Sequence, residues 1–136
     1  MRVLLVDNDL HMESLCQHIR RLGIAEAIFS TDALTAIEAA KAGETDVIII
    51  NTVANWSTQK PAEADFAGVK NSPSFHRNGL LALAVIKRDY PKQRVIMLTS
   101  PASNADEFCH NHGAEALLEK VFSPEKLVEQ ILNPAT

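Results

Sequence analysis

A doubly wound α/β domain is what this sequence predicts, on three observations. Four continuous apolar runs, "VLLV" (3–6), "VIII" (47–50), "VIML" (95–98) and the shorter "ALL" (116–118), punctuate the chain. Unbroken rather than alternating runs suit parallel strands covered on both faces. Helical patterns fill the spaces between them, so strand and helix alternate five times along the chain. Polar residues close the apolar runs.

Taken in order, "VLLV" is the first strand. Leu15, Ile19 and Leu22 then share a helix face, with Gly23 as the stop. "AIF" (27–29) is a weaker strand suited to a sheet edge. Ala33, Ile37 and Ala40 form the second helix, with Asp32 as N-cap and Gly43 as stop. After the "VIII" strand, Leu80, Leu83 and Lys87, flanked by Leu81 and Val85, mark a third helix that Pro91 follows. Ala105, Phe108, Cys109 and His112 form a short fourth, ended by Gly113. Ser123, Pro124 and Glu125 open a fifth, with Leu127, Val128 and Ile131 facing inward and Pro at the first helical position.

One stretch breaks the rhythm. Residues 52–77 show no clean period and contain Pro61, Gly68 and Pro73. A connection of 26 residues is unusual inside a compact domain, and points to a functional or disordered insertion. Trp56, Phe66 and Phe75 place three of the seven Phe, Trp and Tyr residues there. They either pin the loop to the domain or offer a partner surface.

At 136 residues, 46 % apolar and 22 % charged, the chain reads as one soluble domain over 1–136. No apolar run is long enough to span a membrane. The N-terminus has no signal-peptide core, so the expected location is cytoplasmic. The net charge of −4 with scattered Lys and Arg argues against direct nucleic-acid contact. Cys16 and Cys109 lack CxxC spacing and read as reduced core thiols. A Cys109, His110 and His112 metal group, or one on His11 and His18, lacks further ligands nearby in sequence. No metal site is expected.

In an open α/β sheet, ligands gather beyond the carboxyl ends of the strands. Those ends supply Asp7, Asn8 and Asp9, then Asn51, then Thr99 and Ser100, then Lys120. The pieces "VLLVDND", "DVIIIN", "GLLALAVIK", "VIMLTS" and "GAEALLEKVF", leading into "SPEKLVEQIL", stand in order at these positions. Together they resemble the receiver domain of two-component response regulators, from Arg2 to about Asn133. The resemblance implies a flavodoxin-like (βα)5 fold with strand order 2-1-3-4-5. It also implies the chemistry of that family: an aspartate ending strand three takes a phosphoryl group from a histidine kinase, and acidic residues after strand one hold Mg²⁺. A hydroxyl ending strand four and a lysine ending strand five bind the phosphoryl oxygens.

The carry-over is uneven. Asp7, Thr99 and Lys120 match, but Asn8 stands at the second acidic position and Asn51 at the phospho-acceptor. An amide is a poor nucleophile, and Mg²⁺ prefers carboxylates, so Mg²⁺ should bind weakly or not at all, and no other cofactor is expected. Asp7 alone facing Lys120 leaves the pocket nearly neutral, and the two can serve simply as an ion pair. Asp9 suits the N-cap of the first helix better than a displaced metal ligand. Val121 replaces the proline that usually follows the lysine, so a trans Lys120–Val121 bond is expected. Leu117 replaces the aromatic residue of the family's switch.

These departures indicate a degenerate receiver, or pseudo-receiver: not an enzyme, but a phosphorylation-independent interaction module in a two-component-type pathway. Its expected partners are a signalling protein or its own output domain, or a second copy through the face of helix four, strand five and helix five. Two alternatives are a small-molecule-sensing pseudo-receiver and an Asn51 variant of an ordinary phospho-accepting regulator. The second loss, at Asn8, weighs against the latter.

Overall fold

The computed structural model describes residues 1–56, 78–100 and 105–134. Five strands, β1 (Arg2–Val6), β2 (Glu26–Ser30), β3 (Val47–Asn51), β4 (Arg94–Thr99) and β5 (Ala116–Glu119), form one parallel sheet of order β2-β1-β3-β4-β5. Five helices, α1 (Glu13–Arg21), α2 (Ala33–Ala42), α3 (Asn78–Asp89), α4 (Asp106–Asn111) and α5 (Pro124–Leu132), lie between and after them. The expected fold class, strand order and element sequence are all present.

Alternate strand residues divide the core in two. Val3, Leu5, Val47, Ile49, Ile96 and Leu98 pack against α1 and α5, whereas Leu4, Val6, Ile48, Ile50, Val95 and Met97 pack against α2, α3 and Cys109 of α4. This is why the strands read as unbroken apolar runs: both faces are covered. Cys16 and Cys109 are buried free thiols. Burial pushes the Cys16 thiol up to about 11, so it stays protonated and unreactive at neutral pH.

Helix ends follow the expected chemistry. Asp32 Oδ1 accepts from the Leu34 amide at 2.9 Å, and Gly43 ends α2 at φ 72°, a conformation that a side chain would resist. Ser123 caps α5 ahead of Pro124. Two helix faces differ from expectation. Leu22, placed inward by its spacing, follows the last turn of α1 and is half exposed. Helix α3 has no polar face over Asn78–Ile86, where all nine residues are buried, more than the residues that marked it in the sequence.

On the edge of the sheet opposite the candidate site, Arg94 and Glu115 form a bidentate pair at 2.6 and 2.7 Å. Gln130 joins it at 2.9 Å, and Arg94 also donates to the Gln130 and Ile131 carbonyls. One guanidinium therefore ties β4, the start of β5 and the last turn of α5. Burial opposes charge on Glu115, but the hydrogen bonds from Arg94 and Gln130 prevail and hold its carboxyl below the usual range.

Candidate functional site

The sheet brings Asp7, Asn51, Thr99 and Lys120 together, because β1, β3, β4 and β5 are neighbours in parallel and end at one edge. Asn51 is paired in register with Leu98, and Thr99 with Glu119. Asp7 is fully buried, Thr99 nearly so, and Asn51 retains 6 % exposure. Asn8 lies at the surface beside them.

Both carboxylate oxygens of Asp7 are engaged by neighbours. Its Oδ1 accepts from the Asp9 backbone amide at 2.9 Å and from Asn51 Nδ2 at 3.0 Å. Lys120 Nζ lies 2.8 Å from Oδ2, an ion pair without the alignment of a hydrogen bond. The expected Asp7–Lys120 pair is thus present. Asn51 Nδ2 also faces Asn8 Oδ1 at 3.3 Å and the Val53 carbonyl at 2.8 Å. Three acceptors around one nitrogen settle which end of the amide is which, since the reverse orientation would set oxygen against oxygen.

Thr99 Oγ1 donates to the Ser100 carbonyl at 3.2 Å. Lys120 is held from behind, its backbone amide donating to the Thr99 carbonyl at 2.7 Å. The Lys120–Val121 bond is cis, which corrects the expected trans geometry. The expectation rested on local cost alone, whereas the backbone contact to Thr99 and the side-chain contact to Asp7 hold this residue from two sides. Val121 itself is fully exposed.

Asp9 acts as a cap, though of a short 3-10 turn (Leu10–Met12) that leads into α1: its Oδ1 accepts from the His11 amide at 3.0 Å. That bond, followed by the contacts with the His11 ring, holds its carboxyl below the usual range. Among the described residues no three His, Cys, Asp or Glu side chains are grouped as a metal would need. His112 stacks on Phe108 instead, with ring centroids 4.1 Å apart, and Cys109 is in the core. Leu117, expected at a switch position, is half buried against the core on the α2–α4 side.

The segment that leaves β3 starts in order. Asn55 forms a parallel bridge with Asp32, its amide donating to the Thr31 carbonyl at 3.0 Å while its own carbonyl accepts from Ala33 at 2.8 Å. Ala54 is buried, and Trp56 is partly buried against the core. This favours the pinning role for Trp56. Phe66 and Phe75, and the remainder of the insertion, lie outside the described residues. Sequence reasoning missed Asn78, whose Nδ2 donates to the Ala54 carbonyl at 2.7 Å. Its position beside Gly79 was the available signal. A Cβ on Gly79 would fall on the Asn51 carbonyl oxygen, so the close passage of α3 across the end of β3 requires glycine.

No protein-family model and no curated protein matches the chain. Solved structures do. A CheY-like response regulator receiver domain protein from Methanospirillum hungatei JF-1 is similar at a TM-score of 0.72 and 20 % identity, over 96 % of this chain and 90 % of that one. A LuxR-family DNA-binding response regulator from Staphylococcus aureus aligns over all of both chains, at 0.73 and 21 %. A Burkholderia pseudomallei response regulator with a phosphorylated aspartic acid, a calcium ion and citrate is similar at 0.68 and 19 %, over 96 % of this chain and 65 % of that one. The chain has the fold of the receiver domains of response regulators.

Proposed function

We propose that this chain is a degenerate receiver, a signalling module that works by protein interaction without accepting a phosphoryl group. The observation that carries the reading is the closure of Asp7. Its carboxylate oxygens are engaged by Asn51 Nδ2, the Asp9 amide and Lys120 Nζ, and the Asn51 amide stands where a receiver would need a second carboxylate. The donor set does not fit Mg²⁺: one neutralised carboxylate and two amides replace three carboxylates. No step through a metal is therefore part of this reading, and Mg²⁺ binds weakly or not at all. Asn51 offers no carboxylate to phosphorylate.

The partner is a signalling protein or an output domain of the same protein. The face of α4, β5 and α5 supplies a surface for self-association. The Staphylococcus aureus neighbour is described as a DNA-binding response regulator, which is consistent with an output joined to this fold.

The deciding experiment is incubation with acetyl phosphate or beryllofluoride and Mg²⁺, followed by intact mass and NMR. We expect no adduct and no shift. A stable adduct of one phosphoryl mass, absent from Asn51→Ala, would overturn the reading.

A further inference from the structure

Four consecutive carbonyls leave β3, and each has its own donor. Thr52 accepts from the Gly79 amide at 3.0 Å, Val53 from Asn51 Nδ2 at 2.8 Å, Ala54 from Asn78 Nδ2 at 2.7 Å and Asn55 from the Ala33 amide at 2.8 Å. The outer two donors are backbone groups, which any sequence but proline supplies. The inner two are carboxamides, which an aspartate at either position would not replace, because an ionised carboxylate only accepts. Both amides are buried, with Asn51 at 6 % and Asn78 at 8 % exposure.

We propose that Asn51 and Asn78 are paired positioning residues that fasten Val53 and Ala54 to the end of β3 and the start of α3, and so set the path of the chain into Asn55, whose backbone meets the β2–α2 turn, and Trp56. On this view the amide at position 51 has gained a task as well as losing one. A carboxylate there would forfeit the bond to Val53 and would face Asp7 Oδ1, now 3.0 Å from the amide nitrogen. The same nitrogen serves Asp7 and Asn8 on one side and Val53 on the other, with two hydrogens for three acceptors. The end of β1 and the departing segment are thereby coupled through a single side chain. This inference rests on the hydrogen-bond geometry, and its test needs neither Mg²⁺ nor a phosphodonor, so it can fail independently of the reading above.

The test is amide hydrogen exchange on the full chain at pH 8. The reporters are Asn55, bonded to Thr31, and Ala33, bonded to Asn55. The variants are Asn51→Ala, Asn51→Asp and Asn78→Leu. Loss of the one neutral bond that each amide makes to the segment should speed exchange at both reporters by about three- to tenfold. The β3 amides of Ile48–Ile50 should keep their protection. Unchanged reporters in Asn51→Ala and Asn78→Leu would overturn the proposal. So would acceleration in Asn51→Asp alone, which assigns the effect to charge, or equal acceleration in β3, which assigns it to global loss of stability.

Discussion

Lys120 Nζ sits 2.8 Å from Oδ2 of Asp7, a carboxylate with no exposed surface, and only 24 % of the lysine side chain meets solvent. Such a pair contributes little beyond what an apolar replacement would, but removing one member strands the other. We expect Lys120→Met to cost about 3 kcal/mol through the unpaired buried Asp7 charge. Adding Asp7→Asn should recover most of that loss. Urea midpoints at constant slope check both. Equal stability of the single variant and wild type would show that Asp7 is satisfied without the lysine.

Gly79→Ala places a methyl group on the Asn51 carbonyl oxygen. The atoms it would meet are all backbone of Asn51 and Thr52, with no flexible side chain to yield, so the variant should lose about 2–3 kcal/mol or more. It should also disturb the Thr52–Gly79 bond. Denaturant titration reads the first effect, and exchange at the Gly79-equivalent amide reads the second.

Acid stability should reflect Glu115. Its folded-state pKa is lowered, because hydrogen bonds from Arg94 and Gln130 outweigh its burial. A depressed carboxyl stabilises the fold above its unfolded value, about 4.3, and that contribution fades as pH falls through the folded value. The loss of Tm below about pH 4.3 should therefore be shallower in Glu115→Gln, which starts lower at neutral pH. Parallel Tm–pH curves for the two proteins would remove Glu115 as the cause.

On the proposed reading, phosphoryl-accepting chemistry should require two changes. Asn51→Asp alone restores a nucleophile beside an Asp7 already paired with Lys120, while Asn8 still withholds an anionic metal ligand. Mg²⁺ binding and phosphorylation by acetyl phosphate are expected in the Asn8→Asp, Asn51→Asp double variant only. Trp56, the single tryptophan, can report the titration by fluorescence. Robust phosphorylation of the Asn51→Asp single variant would favour an ordinary regulator altered at one position.

Much of this protein was legible in the chain because the relevant physics is local or periodic. Unbroken apolar runs such as Val47–Ile50 declared strands covered on both faces, and Asp32, Gly43 and Ser123 marked helix ends by chemistry confined to a few residues. The strand-end positions of Asp7, Asn51, Thr99 and Lys120 followed once the sheet was assumed parallel. The tertiary structure decided what those residues do to one another. Asn51 read only as a lost carboxylate, because its bonds to Asp7 and Val53 depend on where β1 ends and how the chain turns after β3. Arg94 and Glu115 carried no signal and Asn78 only its place beside Gly79, since their partners lie 24, 21 or more residues away in sequence. The cis Lys120–Val121 bond reversed a correct local preference. Propensity and periodicity act between neighbours along the chain, whereas a hydrogen bond between a side chain and a distant carbonyl exists only after the sheet has brought both to the same edge.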